Sequence, residues 1–396
     1  MAGYLREAID HPTPELAIEV SVVMPCLNEE QTVGECIQKA QKAFVELGVP
    51  GEVIVADNGS TDRSVEVAKS LGARVVHQPE RGYGNAYLAG LAAARGRFIV
   101  MGDSDNTYDF SELPRFVELL GQGQYDLVIG SRLRGDVRAG AMPFLHRYVG
   151  TPVLSAILNL FFGVRVSDTQ SGMRGLTREA YQRLRLRASG MEFASEMIVQ
   201  AARNHLRIAE IPITYYPRQG ESKLRTFRDG WRHLRFLLLH SPTYLFLIPG
   251  LTLLAGGLLL MLLLSFGRVY FTPTFSLDIH AMIMGSLAAI LGFQVVCLGF
   301  YAKAYAGHAG LDADDPLTRG LIRSFTLEHG LVAGGIATLL GLGFVGDVFF
   351  QWVTHGFVLE KDPQLRPALW GLTLSVLGLQ TIFASFFLGV LGIRHR

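Results

Sequence analysis

Cysteine is scarce: Cys26, Cys36 and Cys297 are the only three in 396 residues. They are too few and too scattered for a disulfide framework or a zinc site, and small apolar packing is their ordinary role. An excess of either charge is missing as well. Lys and Arg number 36 against 35 Asp and Glu, for a formal net charge of +1. That balance excludes a broadly basic nucleic-acid binder, which needs clustered cations to displace counterions from phosphates. The N-terminal stretch MAGYLREAIDHPTPELAIEV carries charges where a secretory signal needs its apolar core, so nothing in it is expected to send this end across a membrane. A dinucleotide fingerprint is absent too: GYGNAYLAG, residues 82–90, has no third glycine at the required place and reads as a helix start.

Apolar residues are abundant. The chain is 49% hydrophobic with a mean hydropathy of +0.28, too apolar for an ordinary soluble enzyme. A composition break falls near Pro242, after which SPTYLFLIPGLTLLAGGLLLMLLLSF, residues 241–266, contains no charge. This run is long enough to cross roughly 30 Å of hydrocarbon as a helix. Similar runs over 279–302, 330–353 and 368–393 predict four spans in an all-α region, 241–396. Asp347 interrupts the third; an intramembrane functional charge is one reading, and a position near the headgroups is the plainer one. An even number of spans puts both termini on one side. Arg228, Arg232, Arg235, Lys303, Arg319, Arg323, Arg394 and Arg396 then face the cytoplasm, against Arg268, Lys361 and Arg366 opposite, in keeping with the positive-inside tendency. The expectation is a multi-pass membrane protein with its first part cytoplasmic.

That first part, 1–225, alternates strand-like and helix-like patterns. IEVSVVMP, GEVIVAD, RVVHQ, RFIVMGD and YDLVIGS are short apolar, largely β-branched runs, and helical spacing with terminal glycines fills the segments between several of them. Such alternation predicts an α/β fold with a mostly parallel sheet, in which ligands gather at the carboxyl ends of the strands. Acidic and polar residues stand at those ends: Asn28 and Glu29, Asp57, Asp103 and Asp105, Arg132. Carboxylates as crowded as Asp103, Asp105 and Asp109 in GDSDNTYDF repel unless a cation or donors hold them ionised. Mg²⁺ or Mn²⁺ takes oxygen ligands from one or two carboxylates and completes its shell with substrate phosphates. Asp103 and Asp105, two apart on a turn, can flank such an ion, whereas Asp109 reads as a surface or cap residue.

VSVVMPCLNEE, VIVADNGSTD, GDSD and VIGSR, in this order and spacing, resemble the family 2 glycosyltransferases of the GT-A (Rossmann-like) fold. SDTQSGMRGL, MEFASEM and YPRQGESKL are similar to the branch of dolichyl-phosphate mannose synthase and bacterial polyprenyl-phosphate glycosyltransferases. The resemblance implies inverting, metal-dependent transfer of a hexose from a GDP- or UDP-linked sugar to a polyprenyl (dolichyl or undecaprenyl) phosphate. It assigns Asp57 to the nucleotide's base, Pro25, Leu27 and Glu29 to that pocket, and Asp103 and Ser104 to the nucleotide; Leu27 stands where an aromatic is common. Asp105 is the direct metal ligand by the same resemblance, and Asn106, Thr107 and Tyr108 follow where the family often carries a Gln. Asp168 resembles the carboxylate near sugar and acceptor, with an orienting or electrostatic role, although a turn cap is its structural alternative. Asp62 reads equally as a ligand contact or as a helix-dipole partner. Glu192 and Glu196, at i and i+4, read as exposed helix charges, one of which could reach the sugar.

The acceptor must explain the tie to a bilayer. Residues 141–164, AMPFLHRYVGTPVLSAILNLFFGV, are apolar, broken by Pro152 and short for a span, which suits a pair of interfacial helices; a buried helix is the alternative. Residues 226–240, where Arg228, Arg232 and Arg235 alternate with Phe and Leu, suit an amphipathic juxtamembrane helix on anionic headgroups. Arg132 and Arg147 are the preferred phosphate clamps, since guanidinium forks bind phosphate bidentately. Arg218 and Lys223 fit a loop closing over pyrophosphate, or in the case of Arg218 a solvated flank. A processive polysaccharide synthase should show Gln-x-x-Arg-Trp, and the nearest tract is QAARN with Asn204 at the Trp position. The retained Asp103 and Asp105 speak against an inactive scaffold, and the charge-poor spans against a translocator. The expected partners are a nucleotide sugar, a polyprenyl phosphate and the membrane, without nucleic acid; a homo-oligomer stays open.

Overall fold

The computed structural model describes residues 18–219, 226–308, 326–357 and 361–392. The chain forms two compact units, Met1–Leu237 and Leu238–Arg396.

In the first unit the strands β1 (Val20–Cys26), β2 (Gly51–Asp57), β3 (Arg74–His77), β4 (Phe98–Met101), β5 (Leu127–Val137), β6 (Arg174–Thr177) and β7 (Ile208–Tyr215) form one sheet in the order β3-β2-β1-β4-β6-β5-β7. Neighbours pair in parallel except at β6, which runs antiparallel to both β4 and β5. The β1 run VSVVMPC is buried at all but one position, as a strand covered on both faces must be. Its alternate side chains feed separate cores. Val22 and Met24 pack under the helices α1 (Val33–Leu47) and α4 (Leu113–Gly121), while Val23 packs with α3 (Tyr83–Ala93) and α7 (Phe193–Arg203). In α1 the buried Val33, Cys36, Ile37, Ala40, Ala43 and Phe44 recur at helical spacing, and the helix ends at Gly48, left-handed at φ 64°, the usual glycine stop.

Five strands are expected from the sequence, and among the described residues seven form this sheet. β7 contains Pro212, a residue foreign to a central strand, but β7 lies at the sheet's edge, where a missing N–H is tolerated. β6 is four residues long with the fully buried Arg174 in it, too short and too polar to show a strand pattern. Its reversed direction positions the site. Arg174 at its start pairs with Met101 at the end of β4 and with Ile129 in β5, so the loop entering β6 reaches the same sheet edge as the loops leaving β1, β2, β4 and β5.

The expected pair of helices over 141–164 is a correction: helical backbone runs unbroken from Phe144 to Phe162. A π-turn at His146–Gly150, in which the Thr151 N–H bonds His146 O, leads directly into α5 (Thr151–Phe162). Pro152 sits in the first turn of α5, and the wider turn before it accommodates a residue that has no N–H to donate. Phe144, Tyr148, Val153 and Leu160 of this run are exposed. The helix α8 (Thr226–Leu239) carries the chain to the end of this unit at Leu237.

The second unit holds α9 (Ile248–Ser265), α10 (Ile279–His308), α11 (Leu327–Thr354) and α12 (Lys361–Gly392), with a short ribbon of β8 (Val269–Tyr270) and β9 (Ser276–Leu277) after α9. Four segments, Thr243–Ser265, Ile279–Ala306, Leu327–Thr354 and Gln364–Leu391, are long and apolar enough to cross a membrane, which agrees with the four expected spans. Glycines set their packing. A Cβ on Gly257 would fall 2.4 Å from Gly285 O, and one on Gly341 2.5 Å from Ser375 N, close approach of the kind that small residues permit. Asp347 lies on the exposed side of α11, accepting from Gln351 Nε2 at 2.8 Å.

Candidate active site

The loops after β1 and β2 are laced together. Asn28 is left-handed at φ 54°; its N–H bonds Ser60 Oγ at 3.0 Å and its Oδ1 accepts from the Thr61 N–H at 2.7 Å. Asp57, at the tip of β2, accepts from the Ser60 N–H at 3.0 Å and has His77 Nδ1 3.2 Å away. Burial alone would raise this carboxyl, but the donors from Ser60, His77 and Gly59 outweigh it and hold Asp57 below the usual carboxylate range. Asp62 is committed to structure, accepting from the N–H groups of Ser64 at 3.0 Å and Glu30 at 3.1 Å.

The loop after β4 is clasped to the loop after β1. Ser104 Oγ donates to Pro25 O at 2.6 Å and Thr32 Oγ1 to Ser104 O at 2.8 Å. Asp103 Oδ1 accepts from Tyr83 OH at 2.9 Å and Tyr87 OH at 3.1 Å. Both tyrosines come from α3, inside the glycine-rich tract that reads only as a helix start; their i, i+4 spacing is the signal that sequence reasoning missed. Asp105 Oδ1 accepts from Thr107 N–H and Oγ1 at 3.1 and 2.6 Å, and Asp105 Oδ2 lies 3.1 Å from Arg218 Nη1. The next residue, Asn106, is left-handed at φ 61° and anchored by Lys39 Nζ at 2.9 Å. Burial and the charge on Asp105 push the Asp103 carboxyl up to about 6.

The cation expected opposite these carboxylates includes Arg218, whose guanidinium joins Asp105 to Glu29. Its Nε is buried and meets no acceptor among the described residues. Lys223, its expected companion, lies outside the described residues. Among the described residues no group of three or more His, Cys, Asp or Glu could cage a metal. The oxygens of Asp103 and Asp105 instead match the one- or two-carboxylate pattern by which Mg²⁺ and Mn²⁺ bind with water and phosphate. The donor set fits such an ion.

On the other side stands an ion pair. Arg132 grips Asp168 through Nε at 2.8 Å, Nη2 at 2.9 Å and its own N–H at 3.0 Å. Asp168 is fully buried and Arg132 8% exposed, and the guanidinium also lies 5.1 Å from the Tyr215 ring centre. Burial would raise Asp168, yet the Arg132 charge and bonds hold it low. The Asp168 loop is suspended from several elements: Glu210 Oε1 accepts from the Ser167 and Asp168 N–H groups, Arg174 donates to the carbonyls of Thr169 and Ser171, and the Gly172 N–H bonds Tyr108 OH at 2.7 Å. A Cβ on Gly172 would fall 3.1 Å from Asp103 Oδ2, so the loop rests on Asp103.

Arg147 sits on the π-turn with its guanidinium 5.4 Å from the Tyr148 ring centre, and Leu27 is half-buried beyond β1. Asp109 caps the 3-10 turn Phe110–Glu112 by accepting from the Ser111 N–H. Glu196 departs from the expected exposed charge: it is buried, accepting from the N–H groups of Arg187 and Ala188. Glu192 stands at the start of α7, half-buried.

A Rossmann-like, mostly parallel sheet with paired aspartates at its carboxyl edge, joined to four apolar helices, defines a membrane-attached GT-A transferase. The profile of "Glycosyl transferase family 2" matches residues 21–185, and that of "Glycosyltransferase family 2 C-terminal transmembrane region" residues 300–392. The low-salt glycan biosynthesis hexosyltransferase Agl6 of Haloferax volcanii is 42% identical over 96% of this chain and 90% of its own. A dolichyl-phosphate hexose transferase of the same organism is 34% identical over 54% of this chain and 89% of its own. The crystal structure of glucosyl-3-phosphoglycerate synthase from Mycobacterium tuberculosis with Mn²⁺, UDP and glucosyl-3-phosphoglycerate superposes with a TM-score of 0.45 at 27% identity, covering 56% of this chain and 78% of that one. The chain belongs to glycosyltransferase family 2 and is a membrane protein.

Proposed function

We propose that this chain transfers a hexose, with inversion, from a nucleoside diphosphate sugar to a polyprenyl phosphate at the cytoplasmic membrane face, with Mg²⁺ or Mn²⁺ as cofactor. The observation that carries the reading is the meeting of Asp103, Asp105 and Arg218 with the Arg132–Asp168 pair at one sheet edge. Two relatives named as a hexosyltransferase and a dolichyl-phosphate hexose transferase support it.

Asp57, kept ionised by Ser60 and His77, accepts from the donor's base, and Pro25, Leu27 and Glu29 border that pocket. Asp103 and Asp105 hold the divalent ion, with Ser104 fixing the turn between them. When bound, the ion stabilises the charge that develops on the leaving diphosphate. Arg218, already seated against Asp105 with a buried Nε to spare, and Lys223 bind pyrophosphate oxygens. Arg132 and Arg147 receive the acceptor phosphate, and Asp168 orients Arg132 through its two-pronged grip. An acceptor phosphate is already largely ionised near neutral pH, so its oxygen bonds the sugar carbon as the carbon–diphosphate bond breaks, without removal of a proton. Positioning therefore supplies most of the help. The exposed apolar side chains of 144–162 and Trp231 of α8 suit seating on the bilayer surface.

The test uses membranes carrying the chain, labelled UDP- and GDP-hexoses and added polyprenyl phosphate. Metal-dependent label in the organic extract is expected; label confined to the aqueous phase with every donor overturns the reading.

A further inference from the structure

We infer that His233 is a positioning residue that registers α8 against the loop carrying Asp168, so that the seat of this amphipathic helix and the geometry of Arg132 are set together. Its consequence for transfer rests on the function proposed above; the link itself stands on hydrogen bonds.

The inward stripe of α8 is Asp229, His233 and Leu237, which are 9%, 7% and 0% exposed, against 58% for Trp231 and 65% for Leu239. An apolar residue would fill the His233 position without polar cost, whereas a buried imidazole requires partners. Burial dominates its surroundings and lowers the ring to about 4, with Glu192 and Asp229 pulling upward and Arg174 downward. The ring is therefore neutral near pH 7, with one donor and one acceptor nitrogen. Nδ1 lies 3.0 Å from Ser195 Oγ, and that oxygen also accepts from Gln170 Nε2 at 3.2 Å. Ser195 Oγ thus joins the His233 ring to the Gln170 side chain.

From Gln170 the connection passes to the site. The Gln170 N–H bonds Asp168 Oδ1 at 3.3 Å, and Asp168 grips Arg132. α5, whose Val153 and Leu160 are exposed, reaches the same loop, with Ser155 Oγ accepting from the Thr169 N–H at 3.1 Å. α5 thus touches the loop through the Ser155 hydroxyl, and α8 connects to it through His233 and the Ser195 hydroxyl of α7. A packing role would be served by any side chain of similar volume. A positioning role needs a polar atom where Nδ1 stands, which Asn can supply and Leu cannot.

The experiment compares His233→Leu, His233→Asn and Ser195→Ala in the full-length protein in vesicles of phosphatidylethanolamine and phosphatidylglycerol. His233→Leu is expected to lower kcat for transfer about tenfold, the order of one lost hydrogen bond, with KM for the nucleotide sugar within about twofold of the parent. His233→Asn should recover most of the loss. Ser195→Ala should match His233→Leu, and the double variant should fall no further, as members of one chain do. Hydrogen exchange should quicken at residues 168–172 in His233→Leu and stay unchanged in β2. Parental kcat with unchanged exchange, an Asn variant as impaired as Leu, or additive losses would overturn the inference. A parent inactive on every donor would sink the transfer reading instead, and the exchange comparison would still decide the link.

Discussion

Removing either half of the Arg132–Asp168 pair should cost more than removing both. Asp168 is fully buried and takes three donors from Arg132, the Nε and Nη2 contacts at 2.8 and 2.9 Å and the backbone N–H at 3.0 Å. Arg132→Met keeps only the backbone donor, along with the Gln170 N–H, and strands a carboxylate in the interior. Such a loss costs about 3–5 kcal/mol, whereas replacing both partners by apolar groups of similar volume is often near neutral. Asp168→Leu should sit at the lower end, because the Tyr215 ring 5.1 Å from the guanidinium returns about 1 kcal/mol of cation–π attraction. For a unit of this size each kcal/mol moves the melting point by roughly 2–4 °C, so either single variant should melt about 6–20 °C below the parent. Arg132→Met with Asp168→Leu should fall within a few degrees of it and still transfer no sugar. The assays are thermal unfolding of the detergent-solubilised protein by intrinsic fluorescence and transfer to lipid on the same samples. A double variant as unstable as the two losses summed refutes the pair as an energetic unit; one that transfers at the parental rate refutes its place in the site.

Acid provides a second test. Asp168 and Asp57 are both held below their ordinary value of 3.8, so their contribution is present above that pH and is lost as pH falls through their lower folded values; melting followed from pH 6 to 2 should show a shallower acid loss in the double variant than in the parent. Gly172→Ala would bring a Cβ 3.1 Å from Asp103 Oδ2 and from Tyr83 OH, and unfolding should show about 1–3 kcal/mol of destabilisation with impaired transfer. Arg218→Met, which leaves Glu29 and Asp105 without their shared cation, should raise KM for the nucleotide sugar between about ten- and a hundredfold, the range for a charge-assisted bond; an unchanged KM removes Arg218 from the donor site. Gly257→Leu, whose Cβ would meet Gly285 O at 2.4 Å, should part α9 from α10 and lower the melting point of the second unit, measured in detergent.

Much of the fold was legible because the signals are periodic. Buried parallel strands such as VSVVMPC announce themselves as continuous apolar runs, and charge-free stretches long enough to span announce the four helices. β7 was hidden by Pro212, harmless only because tertiary placement made the strand an edge, and β6 by its brevity and by Arg174, whose charge is answered by the backbone carbonyls of Thr169, Ser171 and Ala194. Within the site, residue types at strand ends pointed to Asp57, Asp103, Asp105 and Arg132. Their partners were not legible, since Arg218 reaches Glu29 across 189 residues and Arg132 reaches Asp168 across 36, distances over which no local pattern operates. The role of Tyr83 and Tyr87 was obscured for another reason: tyrosines at i and i+4 on a helix are ordinarily core, and their hydroxyls matter here only because α3 packs beside the end of β4.

The most direct measurement is transfer of labelled hexose to polyprenyl phosphate by the parent and by Asp105→Asn, each with Mg²⁺ or Mn²⁺ and with chelator. The account predicts lipid-borne label from the parent that chelation abolishes, and a loss of about a hundredfold or more in the variant. Equal labelling by parent and variant, undiminished when the metal is chelated, would contradict it.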